Sequence, residues 1–236
     1  MLQNIKTLYG IELHASDGQI GHVHDFYFND QDWAVRYVVA DTGTWLTGRQ
    51  VLLSPHSFDS LQQGEKLLQV NLTRKQIEES PSIESDKPVS RQFEDEYYQY
   101  YGLPCYWQGE GLWNASPVPL LEIPAKPFPN KLAAANRLRP KKADEHLRSA
   151  LAVHGYRLEA SDGNIGHVSD FLMDTQSWTL PRLVIKTGWL PGKEVEIPTS
   201  KVDRISYDES TVFVNLTGTA VERSPLHHLI SKEAVS

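Results

Sequence analysis

The chain has 236 residues, of which 40% are hydrophobic and 22% charged, a balance that fits a folded protein and excludes disorder along its whole length. No apolar run approaches the roughly 20 residues of a spanning helix, and Met1 to Lys6 show no basic segment leading into an apolar core, so neither a membrane span nor a secretory signal is expected. A formal net charge of −7 argues against sequence-independent nucleic-acid binding, and the single cysteine, Cys105, fits a reducing, cytoplasmic setting.

The first predicted elements are β-strands. Residues 10–15, 20–28 and 36–40 are short runs rich in β-branched and aromatic side chains. Asp17-Gly18 lies between the first two, where a tight hairpin needs the positive φ that this pair supplies. Further strand signals fall at 51–53 and 66–72. A short helix is then expected over 74–79, because Thr73 and Gln76 have capping-box spacing.

Residues 82–150 read as a connector. They hold eight of the fourteen prolines, a density that blocks long regular elements. They also hold half of the ten tyrosines, with Phe93, Trp107 and Trp113 among them. Such rings bury large apolar areas, so the part around 91–113 is expected to pack on one of the folded units or on a partner. Acidic residues dominate from Glu84 to Glu122 and basic ones from Lys126 to Arg148. The basic run, with Lys131, Arg137, Arg139, Lys141 and Lys142, offers charge to an acidic partner or to RNA phosphates, but reads first as a solvated face or as compensation for its acidic neighbour. A further short helix is expected near Leu132 to Ala135, ended by Pro140.

Beyond the connector the opening pattern returns. Residues 15–26 and 160–171 agree at ten of twelve positions, at a constant offset of 145. Trp33 recurs as Trp178, Trp45-Leu46 as Trp189-Leu190, and Asn71-Leu72-Thr73 followed by Ser80-Pro81 as Asn215-Leu216-Thr217 followed by Ser224-Pro225. Pro181 has no counterpart in the first copy, so its strand should start after it or carry a bulge. Several short strands with regular turns, ended by one helical turn, suggest a small closed or nearly closed barrel in each copy.

The run Ser-Asp-Gly-x-Ile-Gly-His-Val-x-Asp-Phe, with the tryptophan beyond it and the closing Asn-Leu-Thr to Ser-Pro, resembles the PRC-barrel family, which is named for a domain in the H subunit of the photosynthetic reaction centre. The resemblance covers roughly 9–81 and 153–225. The middle segment, with Val89 to Phe93 and Tyr97 to Gly102, is similar to tandem stand-alone bacterial members. The family also includes a ribosome-maturation factor with a C-terminal barrel. The chain departs from both named relatives: it offers no candidate for the reaction-centre subunit's membrane helix, and it enters its first barrel by about residue 9. The fold is therefore what the resemblance implies, and a specific job is not.

Signals for chemistry are sparse. His22 and His24 are two apart on a predicted strand and share a face, which makes at most half of a tetrahedral metal site. Ser169 replaces His24 in the second copy, and His227-His228 is equally sparse. Cys105 has no adjacent basic group to activate it. No nucleophile elbow or phosphate-binding loop occurs. Asp25 with Asp170, and Asp17 with Asp162, are duplicated carboxylates that turns and strand ends explain.

The expected architecture is mainly β: two small PRC-type barrels, each with a short closing helix, in 1–81 and 151–236, joined by the connector 82–150. The expected function is a non-enzymatic interaction or assembly module, in a narrower version associated with a membrane or electron-transfer complex. No catalytic residue, metal or cofactor is expected; a protein partner is, and homo-oligomerisation stays open. The alternative is a small-molecule or metal-dependent enzyme with a site between the barrels. Tyr97, Tyr98, Tyr101, Trp107 and Trp113 are the candidate binding residues, since they join apolar area to hydrogen-bonding tips.

Overall fold

The structure, a computed structural model, describes residues 1–58, 67–81, 91–103, 146–188 and 194–227. It opens with β1 (Leu2–Asn4), whose partner lies far along the chain. The first Asp-Gly pair then turns β2 (Glu12–Ala15) into β3 (Gly18–Asn29), with Gly18 at φ +146°. β4 (Val35–Asp41) pairs along the other edge of β3, and β5 (Gln50–Leu53) pairs with β4. β6 (Leu67–Val70) returns parallel to β2 and completes the order β5-β4-β3-β2-β6.

The helix that follows, α1 (Arg74–Glu78), has both halves of the expected capping box: Thr73 Oγ1 accepts from the Gln76 amide, and the Gln76 side chain accepts from the Thr73 amide. α2 (Arg91–Tyr101) lies within the expected connector. Next come β7 (Leu147–Ser149) and a single helical turn, α3 (Ala150–Val153).

The second copy repeats the first. β8 (Arg157–Ala160) and β9 (Gly163–Asp174) form the hairpin, and β10 (Thr179–Thr187) and β11 (Glu194–Pro198) extend the sheet. β12 (Val202–Ser206) and β13 (Thr211–Val214) give the order β11-β10-β9-β8-β13-β12, with β13 parallel to β8. Pro181 falls inside β10, where the register shifts between Thr179 and Arg182; the missing donor is absorbed by a bulge. α4 (Gly218–Glu222) closes the copy, with Thr217 accepting from the Ala220 amide.

The chain is thus mainly β and has two sheets, but no closed barrel is seen among the described residues. Each sheet nonetheless bends back on itself. A 3-10 turn at Pro55–Ser57 leads to a single bridge between Phe58 and Val70, and the turn at Thr199–Lys201 leads from β11 into β12.

The long strands explain what joins the copies. β2 covers only the first part of one edge of β3, up to His22, and β8 covers β9 only up to His167. The rest of each edge would leave backbone groups unpaired. β7 fills the edge of β3 at Tyr27 to Asn29, and β1 fills that of β9 at Leu172 to Asp174. Each copy therefore lends its leading arm to the other. Phe28 and Phe171 meet at the junction, their ring centroids 5.5 Å apart, within a hydrophobic cluster that draws on both copies.

Candidate functional site

The junction is centred on the duplicated tryptophans. Trp33 and Trp178 sit at φ +58° and +53°, a region that a bulky residue rarely enters. Turn contacts hold each there: Trp33 donates its amide to the Asn29 carbonyl, and Trp178 to that of Asp174. Both rings are nearly buried, Trp33 stacked on Phe28 and Trp178 against Phe58. The odd backbone aims the carbonyls across the junction. Val35 N–H donates to the Trp178 carbonyl and Leu180 N–H to that of Trp33, each at 2.8 Å. Ala34 bridges Thr179, its own equivalent at the offset of 145, so a pseudo-two-fold axis passes between them.

Asp25 and Asp170 lock the exchanged arms. Asp25 accepts from the Ser149 hydroxyl at 2.5 Å, from the Leu151 amide at 2.9 Å and from the Phe26 amide at 2.7 Å. Asp170 accepts from the Asn4 side-chain amide at 2.8 Å, the Lys6 amide at 3.3 Å and the Phe171 amide at 2.8 Å. Burial pushes both carboxyls above their ordinary range, against the pull of these same hydrogen bonds. Burial, with the charge of Asp25 adding to it, also pushes the Tyr27 hydroxyl up to about 12. These acids hold backbone and arm in place.

Beside the axis lies a cleft of about 770 Å³. Asp30, Asp32, His146, Arg148, Thr199 and Arg204 are among the residues that line it. Asp30 is paired with His146 Nδ1 at 2.9 Å and with Arg148 Nε at 2.8 Å. Asp32 pairs with Arg36, which is 1% exposed and thus a charge brought inside the fold. The size is that of a ligand pocket. The acid and bases that converge there are partnered with one another.

The predicted binding residues divide. Tyr97, Tyr98 and Tyr101, at 1%, 1% and 3% exposure, face inward from α2 onto the first copy. The Tyr97 hydroxyl accepts from the Ser54 amide at 2.7 Å, and its ring meets Tyr37 edge-on. Tyr37 in turn donates to the buried Glu94 at 3.0 Å. Burial raises the Tyr97 and Tyr101 hydroxyls well above their ordinary value. Trp107 and Trp113 lie outside the described residues, as do Cys105, Trp189 and the helix expected near Leu132. Trp45 carries the Arg74 guanidinium 4.6 Å from its ring centroid.

His22 and His24 are exposed neighbours on one face of β3, and no group of three His, Cys, Asp or Glu suited to a metal occurs among the described residues. Asp17 and Asp162 each accept a first-turn amide of the closing helix, from Arg74 and Gly218 respectively, both at 2.7 Å. Sequence reasoning missed His227, whose Nδ1 lies 3.0 Å from Glu196 and whose Nε2 lies 3.1 Å from the Asn4 amide. Only its pairing with another histidine stood out in the sequence. No helix among the described residues is long and apolar enough to cross a membrane. No family model matches the chain, and no curated protein matches it significantly.

Proposed function

We infer that the chain is a non-enzymatic assembly module, two PRC-type barrel units fused into one body that presents the cleft beside their junction to a protein partner. The observation that carries this reading is the use made of the duplicated acids. Asp25 and Asp170, the carboxylates best placed by sequence for acid–base work, are spent on holding each other's arms. The barrel assignment rests on the sequence resemblance and on the way each sheet bends back through its 3-10 turn. The narrower version, association with a membrane-bound or electron-transfer assembly, draws on the resemblance alone.

The full chain serves as bait in a native lysate, with a lysine-reactive cross-linker. A stoichiometric partner cross-linked to Lys201, next to the cleft-lining Ser200, is the expected result. Arg204→Glu, at the exposed side of the cleft, should lower capture at least tenfold in a folded protein. Failure to find any such partner would overturn the reading. A second reading, a small-molecule enzyme, is favoured by the volume of the cleft and by the Asp30–His146–Arg148 cluster. A metabolite retained through purification and lost in Asp30→Asn would support it instead.

A further inference from the structure

Each repeat offers, along the uncovered part of its long strand, a surface that receives the arm of an equivalent repeat. β1 meets β9 through Leu2 with Asp174, Gln3 with Met173 and Asn4 with Leu172. β7 meets β3 through Leu147 with Asn29, Arg148 with Phe28 and Ser149 with Tyr27. Every member of one set maps onto the other at the offset of 145. The flanking bonds obey the same rule: Thr175 N–H to the Met1 carbonyl matches Asp30 N–H to that of His146. So do the two carboxylate clamps and the central pair through Trp33 and Trp178.

An interface related by a two-fold axis is self-complementary, and none of these contacts depends on which chain supplies the arm. The first and second repeats are separated in sequence by residues 104–145, between Leu103 and His146. A stretch of that length reaches on the order of 100 Å when extended. It can therefore connect a repeat to its neighbour in the same chain or to one in another. We propose that the junction also closes between two copies of this chain, the first repeat of each docking on the second repeat of the other. Such a dimer keeps every contact of the junction and leaves no surface newly exposed. Only the linkage separates it from the monomer. Linkage within one chain gives its own repeats an effective concentration on the order of mM, so the exchanged dimer forms when chains fold together near that concentration.

The test uses two differently tagged full chains, both carrying Cys105→Ser. One carries Leu2→Cys and the other Asp174→Cys, which face each other across β1 and β9. They are unfolded together, refolded at protein concentrations from micromolar to millimolar, and oxidised with glutathione disulfide. The expected result is a covalent dimer containing both tags, rising at least tenfold across that range. Both cysteines placed in one chain should close within the chain at low concentration, which proves the position competent. Leu147→Cys with Asn29→Cys reads the other arm independently. Closure within single chains without any mixed-tag dimer at millimolar concentration would overturn the proposal. A dimer seen by light scattering that lacks the bridge at both arms would overturn it equally, since the copies would then meet elsewhere.

Discussion

The two carboxylate clamps do the same work with different surroundings. Asp25 receives the hydroxyl of Ser149. Asp170 receives the side-chain amide of Asn4, which sits at the equivalent position and also contacts His227. From there the contacts run on to Glu196 and Arg182, so the second clamp is tied to the tail that follows α4. The main-chain acceptors and donors match in both copies, while the side chains that complete them do not. Symmetry here belongs to the backbone of the junction and asymmetry to its periphery. The cleft shows the same division, since Asp30 with its two basic partners is matched at the equivalent positions by Thr175, Met1 and Gln3. A role peculiar to this protein belongs on the unmatched side.

The sharpest way to break the comparison is to remove the paired rings. Trp33→Ala and Trp178→Ala should each cost about 3–5 kcal/mol, the range for a buried aromatic whose cavity does not collapse. Urea unfolding measures both, and near-equal losses are expected because both rings are buried to the same degree. A loss confined to one would show that the axis is geometric only. Next in size come Gly21→Ala and Gly166→Ala. A Cβ at Gly21 would run into the Asp41 carbonyl, and one at Gly166 into that of Lys186, at φ values of +136° and +152°. Strain and overpacking together should cost about 2–4 kcal/mol. The test is the shift in the same unfolding curve, and again the two copies should respond alike.

Much of each repeat was legible because local chemistry forces it. Asp-Gly makes the hairpin, Thr73 and Gln76 cap a helix, and Pro181 displaces its strand register. The exchange of arms left no such trace. Residues 1–8 and 146–153 share almost no side chains, since β1 and β7 are held by main-chain pairing, which any sequence short of proline supplies. Four of the six clamp donors are backbone amides as well. The duplication of Asp25 and Asp170 was visible, but its purpose depends on a neighbour more than 120 residues away in sequence. Packing of Tyr97, Tyr98 and Tyr101 on a folded unit was one of two outcomes the sequence allowed, and it left the choice open because burial and interface use call for the same amphipathic ring.

The clamps themselves give a smaller effect. Asp25→Ala strands the Ser149 hydroxyl and the Leu151 amide, and Asp170→Ala strands the Lys6 amide and leaves the Asn4 side chain to His227 alone. Leaving such groups without an acceptor costs about 1–3 kcal/mol. Hydrogen exchange followed by mass spectrometry should show the arm opening in each variant, residues 146–153 for Asp25 and 1–8 for Asp170. The second loss should be the smaller, because His227 still holds Asn4. Equal losses would mean that the tail contributes nothing to the second clamp.

The smallest effect is on pH dependence, and its sign follows from the direction of the shifts. Burial raises both clamp carboxyls above the values they have in the unfolded chain. Between the unfolded and folded values the native state therefore holds more protons, so stability falls as pH rises through that window. The contribution is fully present below the ordinary carboxylate value, near 3.9, and is lost once both groups ionise in the folded state. His56 and His154 act at higher pH and in the other direction: burial lowers both, so their contribution is lost as pH falls below the ordinary histidine value. The two effects separate by substitution. The double variant Asp25→Asn, Asp170→Asn should be less stable than the wild type at pH 4, and the gap should narrow towards pH 7 as the native carboxylates take on their buried charge. Urea midpoints at half-unit pH steps measure this directly. A gap that widens with rising pH would mean that the hydrogen bonds from Ser149, Leu151, Asn4 and Lys6 outweigh burial, and that the clamps favour the ionised acids.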